Sequence, residues 1–484
     1  MSDDKQAGNP RKAVLGWSAR GPQKPSTSEA RARIIGDVRD RTTKHLRDEP
    51  ACAPSDLKVA LACDWLINFG GAEKVLLELH QMFPSAPIYT SKYDPKGITW
   101  FKDADVRTGY LQHFPNCLRK FIGPIRARYF KKLDLTDYDL VISVTGAEAK
   151  YVKTHKDKIK TEQNLKNRTE ISTSRGKTTH ICFCHVPTQY YWGLYDQYLK
   201  DPGFGLLNPL ARLGLKLFVK PMRKKDYAAA KLPDYYITIS NYAKQEIKRF
   251  YKREATVIYP PVDTKTFMWE NSSPVENLSQ NKVGKSQINK NHNKTIKMSN
   301  SQILEQDFCS DGYFITTSRM VNWKRLDLAI AACIKTHQNL VLIGDGPELR
   351  KLQSMAKGHD NIVFLSKMDK DELKTYLKNA KGYLFPSQEP FGIAPVEALA
   401  AGCPVLAYKK GGALDYIKDG ENGLFFDHQT ADSLASCINR FCDLRKTSPK
   451  VFSPSKISAT ALPYDTEIFK AKMKEYIDEK IGVR

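Results

Sequence analysis

At 484 residues the chain is too long for one compact domain and reads as two. Its 41% hydrophobic and 27% charged residues are those of a globular protein, and no uncharged apolar run reaches about eighteen residues, so no transmembrane helix is expected. A formal charge of +23 is the unusual bulk quantity and calls for a polyanionic partner: nucleic acid, an anionic membrane or a phosphate-bearing substrate.

The N-terminus, "MSDDKQAGNP", has neither a basic n-region nor an apolar h-region, so no secretory signal is expected. Residues 1–56 are rich in Pro, Ser, Arg and Asp without a sustained period and predict a disordered leader. From Leu57 the texture changes. "LKVALACDWLI" reads as a buried strand, followed by Gly70-Gly71 and the helical "AEKVLLELHQMF". Further strands are predicted at 138–145, 179–186, 234–240 and 255–262, so that residues 57–262 form a first domain with a polar insertion at about 153–178. Residues 263–310 form a linker whose Asn/Lys/Ser-rich part is a low-complexity insertion. A second alternating series, "YFITTS", "NLVLIGDG", "NIVFLSK", "KGYLFPS", "CPVLAY" and "NGLFF", makes 311–484 a second domain, with a terminal helix at about 464–480. Continuous Val/Ile/Leu runs alternating with helices predict an α/β protein with parallel sheets covered on both faces. The ten cysteines form no Cys-x-x-Cys pair and read as reduced, buried thiols of a cytoplasmic protein rather than a disulfide or zinc framework.

On such sheets, ligands bind at the carboxyl ends of strands near helix N-termini. Four segments fall there. Gly70-Gly71 turns from the first strand into a helix and would admit a phosphate close to the backbone, although a plain tight turn reads the same. Arg319 closes a strand and Lys324 opens the next helix, two cations suited to a diphosphate or, equally, two solvated surface charges. In "EPFGIAPVE", Pro395 fits the first turn of a helix and Gly402 its C-terminal cap. Glu397 would then sit in the first turn, where the helix dipole alone would favour it. Glu389 lies upstream in a loop and has no such reason to be there. No His or Asp cluster accompanies the pair, so no metal site is expected. His185 follows a strand and precedes Pro187, which points it into the cleft, although a lone histidine is commonly structural.

Taken together, "DWLINFGGAEKV", "DLTDYDLVIS", "CHVPTQYYW", "SRMVNWKRLDLAI", "IGDGPEL" and "FPSQEPFGIAPVEALAAGCPVLAYKKGGALDYI" resemble the family 4 retaining glycosyltransferases, most nearly their O-antigen mannosyltransferase-like branch. The resemblance covers about residues 57–269 and 311–480. It implies the GT-B architecture, two Rossmann-like βα domains facing a central cleft. It also implies roles for single residues. The Gly70-Gly71 loop would lie over the donor diphosphate, which Arg319 and Lys324 would bind. Glu389, with the backbone of Phe391, Gly392 and Ile393, would hold the donor sugar, and Glu397 the ribose. His185 would sit beside the transferred sugar, and Lys367 and Met368 would line the base. Gln189, Gly193 and Gly146 depart from the branch, where Arg, Asp and His are usual, all on the acceptor side.

The implied activity is hexosyl transfer, mannose from GDP-mannose with a UDP-sugar as the alternative donor. The acceptor would be a glycan or a polyprenyl-diphosphate-linked saccharide in cell-surface polysaccharide biosynthesis, and no cofactor or metal is expected. Two basic stretches interleaved with apolar residues, 118–132 and 210–227, suit a peripheral enzyme on the inner, anionic face of the cytoplasmic membrane, or simply solvated helical faces. No DNA- or RNA-binding signature accompanies them, so nucleic acid is not an expected partner.

Overall fold

A computed structural model describes residues 57–115, 122–155, 178–200, 202, 205, 208–270 and 312–482. The leader, most of the first insertion and the low-complexity stretch lie outside the described residues.

Two parallel sheets carry the chain. The first joins β1 (Val59–Cys63), β2 (Ile88–Thr90), β3 (Val106–Arg107), β4 (Leu140–Thr145), β5 (Thr179–Cys184), β6 (Tyr235–Thr238) and β7 (Thr256–Val257) in the order β3-β2-β1-β4-β5-β6-β7. The second joins β8 (Phe314–Thr317), β9 (Leu340–Ile343), β10 (Ile362–Leu365), β11 (Gly382–Phe385), β12 (Val405–Tyr408) and β13 (Gly423–Phe426) in the order β10-β9-β8-β11-β12-β13. The apolar runs explain the pairing. Val59 to Cys63 lie opposite Leu140 to Val144, and every residue of both stretches is buried, as parallel strands covered on two faces require. The strand expected at 255–262 contracts to two residues, because Pro260 and Pro261 have no N–H to give a ladder. β2 and β3 were not predicted.

Helices α1 (Gly71–Met82), α2 (Gly123–Lys132), α3 (Tyr195–Lys200), α4 (Asn208–Ala229) and α5 (Asn241–Tyr251) belong to the first domain. In the second, α6 (Leu326–Lys335) follows β8 and α7 (Ile393–Ala400) follows β11. The terminal helix, α8 (Thr466–Ile481), is N-capped by Asp465, whose carboxylate accepts from the Glu467 N–H. It packs back on the first domain: Phe469 meets Phe183 with ring centroids 6.1 Å apart, and Lys470 pairs with Glu78 at 2.9 Å. The two chain crossings lie side by side, Val262 N–H donating to the Tyr464 carbonyl and Thr466 N–H to the Val262 carbonyl.

The two basic stretches fold differently. The described part of 118–132 is α2, which turns Arg126, Ala127, Tyr129 and Phe130 into the core and leaves Arg128, Lys131 and Lys132 outside. It is a packed helix rather than a free amphipathic face. α4, from 210–227, keeps a large apolar surface in solvent.

Candidate functional site

Strand order reverses between β1 and β4 in the first sheet and between β8 and β11 in the second, and each reversal opens a crevice at the carboxyl edge. The two crevices face each other across one cleft of about 860 Å³. Eleven of the twelve expected site residues line it: Gly70, Gly71, His185, Arg319, Lys324, Lys367, Glu389, Phe391, Gly392, Ile393 and Glu397. Met368 does not; it is half-buried and packs against the second domain's core.

Two helix starts meet at the cleft. α1 begins after Gly70 and α7 after Gly392, and neither has a side-chain cap, so their first N–H groups are left for water or a ligand. Gly71 is one of the places where the domains approach, since a Cβ there would stand 3.2 Å from Ile393 Cδ1. Gly392 is required twice over. Its φ is +94°, and a Cβ would fall 2.8 Å from Phe385 Cζ and 3.0 Å from the Tyr416 hydroxyl. That hydroxyl donates to the Phe391 carbonyl at 2.9 Å and fixes the loop.

The cations sit one loop away. Arg319 lies two residues past β8 and is exposed. Lys324 does not open α6; it ends a separate turn, Asn322–Lys324, and Arg325 at φ +53° breaks the chain before the helix starts. Lys324 Nζ donates to Glu389 Oε1 at 2.5 Å, and the Ser387 hydroxyl donates to the same oxygen at 2.8 Å. Both partners are mostly buried, 18% and 12% exposed. The cation and the loop carboxylate are thus prepaired in the cleft, with the uncapped start of α7 beside them.

Glu397 is the fifth residue of α7, beyond its first turn, so capping does not account for it. Burial raises its pKa, while Lys74 on α1 and then Lys370 pull it back. Lys74 Nζ stands 3.7 Å from Glu397 Oε1, an ion pair between the domains.

His185 directly follows β5 and its N–H donates to the Thr145 carbonyl. Neither ring nitrogen has a hydrogen-bond partner among the described residues. Burial lowers its pKa to about 4, opposed by Asp64, so the imidazole is neutral near pH 7 and free to meet a bound group.

Sequence reasoning missed the scaffold behind it. The Asp64 carboxylate, just past β1, accepts from Thr145 Oγ1 and from the N–H groups of Gly146, Glu148 and Ala149, at 2.7 to 3.0 Å. Glu148 is buried between Arg126 Nε at 2.6 Å and the Tyr190 hydroxyl at 2.5 Å, with its pKa raised by burial against the pull of Arg126. Arg126 also lies over the Trp65 ring at 4.7 Å. The partners are tens of residues apart, so no spacing could have announced them. The one available signal was an Asp immediately after a buried strand.

Comparisons with known proteins follow this geometry. Residues 308–453 match the family model described as glycosyl transferases group 1. An alpha-1,3/1,6-mannosyltransferase ALG2 of Dictyostelium discoideum is 23% identical over 420 residues, 77% of this chain and 87% of that protein. A GDP-mannose-dependent alpha-(1-6)-phosphatidylinositol monomannoside mannosyltransferase of Mycolicibacterium smegmatis is 29% identical over 140 residues, 26% and 37% of the two chains. An uncharacterized glycosyltransferase of Methanocaldococcus jannaschii is 35% identical over 105 residues, 21% of this chain, and the alignment spans only 27% of that protein. Among solved structures, Anabaena HepE in complex with UDP-glucose superposes with a TM-score of 0.56 at 16% identity, covering 87% of this chain and 99% of that one. The fold is GT-B, and the class that fold and relatives support is that of the glycosyltransferases. Mannosyltransferases stand among the similar relatives.

Proposed function

We propose that the chain is a retaining hexosyltransferase that moves mannose from GDP-mannose to a glycan or polyprenyl-diphosphate-linked saccharide in cell-surface polysaccharide biosynthesis, at the inner face of the cytoplasmic membrane. One observation carries the reading. Two uncapped helix starts and the cations Arg319 and Lys324 surround one cleft, with the Glu389 carboxylate among them. That arrangement suits a diphosphate with a sugar attached. The mannose donor is supported by the mannosyltransferases among the relatives.

In the reaction, the bond between the anomeric carbon and the diphosphate oxygen breaks and leaves its electron pair on that oxygen. Arg319, Lys324 and the N–H groups of α7 take up the growing charge, which lowers the barrier without a general acid. The acceptor hydroxyl attacks the carbon from the same face, and its proton passes to the departing phosphate oxygen. Glu389 and the Phe391–Ile393 backbone hold the sugar hydroxyls, Glu397 the ribose, and Lys367 lies on the base side. His185, neutral, borders the transferred sugar. Neither glutamate acts as a hydrolase-type acid or base, and no metal has a step in this scheme.

The test is a panel of sugar nucleotides offered to the purified protein and scored by nucleoside diphosphate release. Preferential consumption of GDP-mannose supports the reading. Preference for a UDP-sugar overturns the donor, and consumption of none by folded protein overturns the activity.

A further inference from the structure

Three aromatic side chains stand open inside the cleft. Phe69, Trp100 and Trp323 line it and are 42%, 39% and 37% exposed. A single ring exposed on an outer surface needs no explanation, but rings left open in a cavity lined by cations mark a place for a ligand. Trp323 is taken by its neighbour, since the Lys324 ammonium lies 4.6 Å from its ring centroid. Phe69 and Trp100 instead hold each other edge to face, with centroids 4.7 Å apart. Phe69 directly precedes the Gly70-Gly71 loop. Trp100 sits in the single turn Thr99–Phe101, which the buried Phe101 anchors to the first domain. From the second domain, Lys367 Nζ reaches to 5.4 Å from the centroid of the Phe69 ring.

Sheet order tells the two flanks of the cleft apart. In the first sheet, β2 lies on one side of β1, and β4 and β5 lie on the other. Trp100, after β2, and His185, after β5, therefore stand on opposite flanks of the Gly70-Gly71 loop. In the second sheet, β9 and β10 lie on one side of β8, and β11 lies on the other. Lys367, after β10, and Glu389, after β11, therefore stand on opposite flanks of Arg319 and Lys324. The contact between Phe69 and Lys367 joins the β2 flank of one sheet to the β10 flank of the other. A diphosphate at the centre, with its sugar towards His185 and Glu389, must carry its other substituent towards Phe69, Trp100 and Lys367.

We infer that Phe69 and Trp100 form a stacking platform, supplied by the first domain, for the nucleobase of the donor. The inference deepens the proposed function and rests on its nucleotide donor. A base has a π face to set against an aromatic ring, and the contact asks for no hydrogen-bond pattern. On binding, the Lys367 ammonium moves from the Phe69 ring to the edge of the base. Guanine presents two acceptors there, O6 and N7, to which a lysine can donate. An acceptor sugar could also stack on an aromatic ring. Its hydroxyl, however, must reach the anomeric carbon on the His185 flank, away from this pair. A base seated between Phe69 and Lys367 touches both domains, so the first domain takes part in choosing the nucleotide.

The experiment is calorimetric titration of the full chain with GDP, UDP and pyrophosphate. Phe69→Leu and Trp100→Leu keep an apolar side chain and remove the π face. Each should raise the Kd for GDP about tenfold and leave that for pyrophosphate within about twofold. Phe69→Tyr keeps the ring and should hold GDP within about twofold of wild type. In turnover, the leucine variants should raise KM for the donor with little change in kcat, as a contact made equally in ground and transition states does. An unchanged Kd for GDP in both leucine variants overturns the inference. So does an equal loss of GDP and pyrophosphate, which would mean a displaced Gly70-Gly71 loop, or a loss in Phe69→Tyr as large as in Phe69→Leu. Tighter binding of UDP that the leucine variants weaken supports the platform and overturns the GDP donor. Donor consumption with GDP binding indifferent to both rings overturns the platform and leaves the proposed activity standing.

Discussion

Replacing Lys324 by Met removes the ammonium while keeping most of the stem. Its partner Glu389 is 12% exposed and keeps the Ser387 hydroxyl at 2.8 Å, so its carboxylate is not stranded. The stability loss should therefore be about 1 kcal/mol, nearer to a partly solvated pair than to a buried one. The rate should suffer far more. At a partly buried site with an effective dielectric of about 20, a unit charge about 4 Å from a developing phosphate charge contributes about 4 kcal/mol. That agrees with the roughly hundred- to thousandfold losses seen when one preorganised stabilising group is deleted. The assay is steady-state release of nucleoside diphosphate from the donor the panel identifies, with thermal unfolding alongside. Lys324→Met with Glu389→Gln should be no faster than the single variant, because the cation is required for departure and not merely to neutralise the carboxylate. A single variant within about threefold of wild type, or a double variant restored to wild-type turnover, would refute the assignment.

Glu397→Gln should raise KM for the donor with little change in kcat, since a ribose contact is made equally in ground and transition states; initial-rate kinetics check this. His185 carries a pH signature. Its folded pKa, about 4, lies below the ordinary 6.5, so the unfolded chain binds the extra proton between those values. The contribution is present above about pH 6.5 and is lost as pH falls towards 4, an effect of about 3 kcal/mol. Urea unfolding should accordingly show a weaker loss between neutral pH and about pH 5 in His185→Gln than in wild type. Lys150→Met removes the cation from a pair 1% exposed on both sides and leaves the Asp226 charge buried with only the neutral donors Thr188, Trp192 and Tyr251, and should cost about 3 kcal/mol in denaturant unfolding.

The parallel sheets were legible because strands buried on both faces write themselves as unbroken apolar runs. Glu389 and Glu397 were legible for a different reason: their loop and helix lie adjacent in sequence. β2 and β3 escaped notice because three and two residues are too few to set a period. The scaffold of Asp64, Glu148, Arg126 and Tyr190 escaped because its bonds join residues made neighbours only by the fold. Composition likewise could not tell α2 from α4. Both mix cations with Leu, Phe, Ile or Tyr, and only packing decides that Arg126 turns inward while Leu213 and Leu217 face solvent.

The return of α8 to the first domain has a practical consequence for dissecting this molecule. A fragment ending at Val262 would lack the helix that places Phe469 on Phe183 and Lys470 on Glu78, leaving apolar surface and a carboxylate uncovered. A fragment starting at Gly312 would carry that helix with nothing to lie on. The halves are interlocked by sequence order, so a tag, truncation or fusion at the C-terminus acts first on the domain that begins the chain. Independent expression of the first domain would need α8 supplied to it as a separate or relinked segment.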